Sequence, residues 1–113
     1  MSKEKNKENE EKCLSCEGFV LAYTENEAAE KLKDLSKDWL LIEEGKAIEK
    51  KMSFKNFKQV MIYMGGLAHL AEREKHHPDV SLGYNYCHVK LTTHSVSGLT
   101  PNDFILGKMI DKL

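Results

Sequence analysis

The chain has 113 residues, of which 41% are apolar and 31% charged. That is the size of one ordinary domain, long enough to bury a core without disulfides or a structural metal. Seventeen Lys and Arg against eighteen Asp and Glu leave a formal charge of −1. This balance argues against direct nucleic-acid binding and against a highly acidic solvating chain. Apolar runs such as Trp39–Ile42 fall far short of the ~20 residues of a membrane span. The N-terminus carries no apolar stretch of the kind a secretory signal needs. The three cysteines are then expected as reduced thiols in an intracellular protein. The expected location is the cytoplasm, with the nucleus as a second compartment.

Residues 1–12 hold four lysines, four glutamates and nothing apolar after Met1. Such a segment cannot offset its ordering entropy, so a disordered charged tail is expected there. Residues 13–113 then form a single domain. Thr24-Glu25-Asn26-Glu27 has the spacing of a capping box, and Ala28, Ala29, Leu32 and Leu35 follow at helical intervals. Trp39–Glu43 reads as a strand and Glu44–Lys46 as a turn. Residues 47–54 read as a second strand, with Ile48, Met52 and Phe54 in phase.

From Asn56 to about Lys75 the period becomes 3.6, with Phe57, Val60, Met61, Met64, Leu67, Ala68 and Ala71 in one stripe. Gly65-Gly66 inside it costs up to about 1 kcal/mol per glycine relative to Ala, which a close helix–sheet or subunit contact would explain. Val80–Leu82, a turn at Gly83–Asn85 and a strand at Tyr86–Thr92 make a second hairpin. Thr100-Pro101-Asn102-Asp103 opens a last helix. The order α-β-β-α-β-β-α predicts an α+β fold of two layers: a four-stranded, mainly antiparallel sheet with helices packed on one face.

Four of the five histidines, His76, His77, His88 and His94, lie within nineteen residues. Glu72 precedes His76 by one helical turn, and Pro78 ends helical geometry at His77. The His pair therefore sits at a helix C-terminus, where partial negative charge favours imidazolium. An unperturbed imidazole gives and takes protons near pH 7. Each member also has a plain structural reading. A helix-ending His can be a cap, His69 a surface residue, His88 part of a solvated strand face with Lys90, Tyr84 a turn residue, and Asp103 a first-turn acid. As a set they concentrate proton-transfer groups. Adjacent histidines rarely share one ion, so a metal site is disfavoured, and Cys13-x-x-Cys16 is only half of a zinc motif. Cys87 falls on the apolar strand face.

Glu72, three spacers, His76-His77-Pro78, then Tyr84, His94 and Asp103 form a pattern that resembles the pterin-4a-carbinolamine dehydratases. Trp39, the Gly45–Ile48 turn, Phe54–Phe57 and Gly98-Leu99-Thr100 fit the same family, so the resemblance covers about residues 17–113. It implies dehydration of 4a-hydroxytetrahydropterin to quinonoid dihydropterin in tetrahydrobiopterin recycling, with no cofactor or metal. His77 would be the main general acid/base, and His76 and His94 would bind pterin and assist. Glu72 would orient the His pair, and Asp103 would orient His94 or contact a ring nitrogen. Lys75, Pro78, Thr92, Thr93 and Ser95 would line the substrate. The resemblance further implies a homo-oligomer, a dimer or a tetramer. It also carries an alternative, a protein-binding scaffold or transcriptional dimerisation cofactor. The pattern departs from the family at Val80, where the family carries Trp, which predicts weaker pterin binding or a more open site.

Overall fold

A computed structural model describes residues 21–113. The expected tail at residues 1–12 and the Cys13/Cys16 pair lie outside the described residues. Helix α1 (Glu25–Leu32) is followed by strands β1 (Trp39–Ile42) and β2 (Ala47–Ser53) and by the long helix α2 (Phe57–Glu74). Strands β3 (Asp79–Gly83) and β4 (Tyr86–Leu91) and helix α3 (Pro101–Asp111) complete it. Short 3-10 turns occupy Glu43–Gly45 and His94–Val96.

Each helix start has a local cause. At α1 the Glu27 carboxylate accepts from the Thr24 backbone N–H at 2.8 Å, and the Thr24 hydroxyl accepts from the Glu27 N–H at 3.1 Å. At α2 the Asn56 side chain accepts from the Gln59 N–H at 2.9 Å. At α3 Pro101 takes the first helical position, where its missing N–H costs nothing.

The sheet order is β1-β2-β4-β3, and every neighbouring pair is antiparallel. Register decides which side chains face the helices. Ile48 pairs with Leu41 and Leu91, and Cys87 with Met52 and Leu82. These side chains join Ala28, Leu35, Val60, Leu67, Leu70, Leu99, Phe104, Leu106 and Ile110 in one apolar core. The opposite sheet face stays open to solvent, with Leu40 and Tyr86 exposed on it. The two-layer expectation therefore holds, with a fully antiparallel sheet.

The β1–β2 connection is tighter than a simple turn. Glu43, Glu44 and Gly45 all adopt positive φ, and a Cβ on Gly45 would fall 2.8–2.9 Å from Glu25. Only glycine meets both demands. Gly65 is different: nothing lies within 4 Å of where its Cβ would be, and Gly66 meets only Leu113 at 3.5 Å. No close helix–sheet contact among the described residues accounts for this pair, and α2 runs unbroken through it. The predicted stripe is also only partly inward. Val60, Leu67 and Ala71 are buried, whereas Phe57, Met61 and Ala68 face solvent.

Candidate active site

Helix α2 ends at Glu74, and Lys75 takes a left-handed conformation, φ 57° and ψ 37°. This reversal, ordinarily a glycine's place, sends consecutive side chains in different directions. His76 turns inward and is 5% exposed, while His77 stays on the surface. Both the Lys75 and the His76 backbone N–H bond to the Ala71 carbonyl, which fixes the bend. Pro78 then holds the chain extended into β3.

His76 Nε2 lies 2.6 Å from Asp103 Oδ1, a contact buried on both sides. The other carboxylate oxygen, Oδ2, accepts from the Thr93 hydroxyl at 2.7 Å and from the Thr100 N–H at 2.9 Å. Thr93 and Thr100 hydroxyls meet at 2.8 Å. One aspartate thereby joins the end of α2, the segment after β4 and the start of α3. Its first-turn position reads as a cap and serves as one, through the Thr100 N–H, while its second oxygen faces the site.

The sequence reading has Glu72 sharing a helix face with His76 and orienting the His pair, and Asp103 orienting His94 or contacting a ring nitrogen; the geometry specifies which pairs form. Glu72 Oε2 sits 2.7 Å from His77 Nε2, because the left-handed residue carries His76 away from the helix face. Asp103 meets His76, and His94 faces Asp79 at 3.7 Å instead. The Glu72–His77 and Asp79–His94 pairs are exposed, so they add little stability. Each of the three histidines thus has its own carboxylate.

Of the remaining predicted residues, Thr93 is buried and its hydroxyl belongs to the aspartate network. Thr92 donates to the Lys46 carbonyl at 2.6 Å, tying the segment to the first hairpin. Ser95 is exposed in the turn beside His94, Lys75 is exposed at the helix bend, and Pro78 is half-buried. Tyr84 is 67% exposed at the tip of the second hairpin. With β3 between them, at roughly 3.3 Å per residue, it stands on the order of 15 Å along the strand from Asp79. Val80 lies on the helix-covered sheet face, paired with Val89 and packed against the core. His69 is exposed, and His88 lies on the open sheet face against Tyr86, with ring centroids 5.0 Å apart.

Sequence reasoning missed Asp79 and Thr100. Asp79 had a signal in its place directly after His-His-Pro. The Thr93–Thr100 pairing had none, because it depends on how the loop after β4 folds back, with Thr93 N–H donating to Gly98 O at 2.7 Å. Among the described residues no group of three or more His, Cys, Asp or Glu is placed to hold a metal ion. Burial pushes the Cys87 thiol up, which keeps it an unreactive core residue. A half-open cavity of about 300 Å³ is lined by Phe54, Gln59, Ile62, Tyr63, Gly66 and Leu113 and contains none of the site histidines. No described helix is long and apolar enough to cross a membrane.

Residues 22–113 match the family model described as pterin 4 alpha carbinolamine dehydratase. A protein of Legionella pneumophila (strain Lens), provisionally named pterin-4-alpha-carbinolamine dehydratase, is 44% identical over 101 residues, 89% of each chain. One from Nitrosomonas eutropha (strain DSM 101675 / C91 / Nm57), with the same provisional name, is 41% identical over 102 residues, 90% of this chain and 88% of its own. Among solved structures, the transcriptional coactivator/pterin dehydratase from Brucella melitensis is 32% identical, with a TM-score of 0.74 over 80% of this chain and 96% of its own. The chain belongs to the pterin-4-alpha-carbinolamine dehydratase family.

Proposed function

We propose that this protein dehydrates 4a-hydroxytetrahydropterin to quinonoid dihydropterin by histidine acid–base catalysis, recycling pterin after aromatic hydroxylation. The observation that carries the reading is the pairing of each motif histidine with a carboxylate: His76 with Asp103, His77 with Glu72, and His94 with Asp79. Hydroxide is a poor leaving group at C4a. An imidazolium gives it a proton, the C–O bond breaks with its electron pair, and water departs. The N5–H pair closes the C4a=N5 bond, and a neutral imidazole takes the N5 proton. The sum is substrate to product plus water, with the protons returned.

His77, exposed and held by Glu72, is the main proton-transfer group in this reading. His94 assists from the neighbouring segment, and buried His76 holds the pterin. In this reading Lys75, Pro78, Thr92 and Ser95 complete the substrate contacts. Proton transfer by a positioned side chain typically contributes ~10²–10⁴-fold. Stopped-flow measurement on freshly generated carbinolamine tests it. His77→Ala should slow dehydration by about that range, and an unchanged rate would remove the role assigned to His77.

A second reading is a protein-binding scaffold, favoured by the exposure of Phe57, Met61 and Ile62 on α2 at 47%, 45% and 60%. Solvated apolar side chains grouped on one helix suit a partner or a second copy. A variant lacking both His76 and His77 imidazoles would keep a scaffold role and lose dehydration.

A further inference from the structure

Beyond the reading above, on which it rests, the Asp103 network determines which nitrogen His76 offers to a ligand. An ionised carboxylate only accepts hydrogen bonds. With Asp103 ionised, Oδ1 at 2.6 Å requires the proton on His76 Nε2. Oδ2 likewise requires the Thr93 hydroxyl to donate. With its one proton committed to Asp103, Thr93 can meet Thr100 only as an acceptor, so the Thr100 hydroxyl donates at 2.8 Å. The directions are then fixed along the whole chain: Thr100 to Thr93, Thr93 to Asp103, and His76 to Asp103. In the Nε2–H form His76 carries its lone pair on Nδ1, and its hydrogen bond to Asp103 uses the other ring nitrogen.

We propose that Thr93, backed by Thr100, is a positioning residue that locks the Asp103 carboxylate and thereby holds His76 as the Nε2–H tautomer, so that His76 presents Nδ1 as a hydrogen-bond acceptor for an N–H or O–H of the pterin. Two independent features support this beyond the distances. All four residues are buried, Asp103 and Thr100 completely, so solvent cannot scramble the directions. The second carboxylate oxygen also receives two donors, the Thr93 hydroxyl and the Thr100 N–H, which resists rotation of the carboxylate. Thr93 thus acts through its hydroxyl and Asp103, and it need not touch the substrate.

The geometry makes an inversion test available. In Asp103→Asn the carbonyl oxygen must take the place of Oδ2, because two donors point there. The amide NH₂ then faces His76 Nε2 and forces its proton onto Nδ1, a reversal that disables a histidine otherwise in place. The ring nitrogens of His76 are read by ¹⁵N–¹H correlation NMR on the ligand-free full chain, well above the ordinary imidazole pKa of ~6.5. Expected are Nε2–H in the wild type, Nδ1–H in Asp103→Asn, and a mixture of tautomers in Thr93→Val that Thr93→Ser restores to one. Dehydration kinetics of Thr93→Val should show kcat/KM down roughly tenfold, mostly through KM, with Thr93→Ser recovering most of it.

A single unchanged tautomer in folded Thr93→Val overturns the proposal, as does a wild-type His76 protonated on Nδ1 or on both nitrogens. Should Thr93→Val not fold, Asp103→Asn decides alone: retention of Nε2–H overturns the proposal. An altered tautomer with unchanged dehydration upholds the positioning and instead removes His76 from the reaction.

Discussion

Helix α3 carries a carboxylate near each end, and each collects donors from distant segments. Asp111 accepts from Lys50 Nζ at 2.7 Å, from the Ser36 N–H and hydroxyl at 2.9 and 3.1 Å, and from the Trp39 indole at 2.9 Å. Asp103 accepts from His76, Thr93 and the Thr100 N–H. The two clusters are built alike and differ in burial, complete at Asp103 and partial at Asp111, and in the nature of the partner. The Lys50 side chain lies 11% exposed, and its Nζ sits 5.9 Å from the Trp39 ring centre. Its pairing with Asp111 clamps α3 to β1 and β2. At the other end an imidazole, whose ring nitrogens can donate or accept, stands where Lys50 offers donors only, and it is the group given a role in the proposed reaction. In the proposed function an aspartate of α3 is a fold element or a site element according to what donates to it.

The comparison can be broken at either end. The largest stability effect should come from Asp111→Ala, which leaves the part-buried Lys50 without its carboxylate. A loss of about 1–3 kcal/mol is expected in denaturant unfolding, and a loss under ~1 kcal/mol would show that the cluster is ornamental. Asp103→Asn should do the reverse. Its shape is kept and its melting temperature should change little, while dehydration falls on the order of a hundredfold or more, as for a reversed histidine tautomer. Equal losses of stability at the two sites would erase the distinction drawn here.

Acid separates the Asp111 cluster in another way. Burial alone would push its carboxyl up. Hydrogen bonds from Lys50, the Ser36 N–H and Trp39, with the Lys50 charge, outweigh this and hold it below the ordinary 3.8. A carboxyl lowered in the folded state contributes stability that is complete above its unfolded value and lost as pH falls through the folded one. Wild-type stability should therefore drop below about pH 4, and Asp111→Asn should flatten that drop. Alkali tests the neighbouring Tyr63, whose buried hydroxyl has no partner among the described residues. Burial, then Cys87 and Asp111, push it up to about 12 from 10.0. Its folded value being raised, stability should decline as pH climbs from 10 toward 12, and Tyr63→Phe should remove that part of the decline.

The smallest effect concerns helix α2. Open space around Gly65 predicts that Gly65→Ala raises stability by up to about 1 kcal/mol through helix propensity alone. A lowered melting temperature would instead place another surface against that face.

What the sequence revealed was local. The capping box at Thr24, the two hairpins, the change of period at Asn56 and the helix stop before Pro78 all follow from a few adjacent residues, and the structure has them. Lys50 shows the limit. It lies in phase with Ile48 and Met52, so the strand period itself points it inward, yet its acceptor is 61 residues away. The histidine set was likewise visible as a motif, but its wiring was not. One left-handed residue, Lys75, turns His76 inward to Asp103 and leaves Glu72 with His77, and no pattern of residue types marks a lysine for that conformation.

The most direct test is the rate at which purified protein consumes freshly generated 4a-hydroxytetrahydropterin, followed by stopped-flow absorbance beside the buffer reaction. The wild type should accelerate it by orders of magnitude, and a folded variant lacking the His76 and His77 imidazoles should return it to the buffer rate. A wild type no faster than buffer, or a double variant as fast as the wild type, would contradict the account.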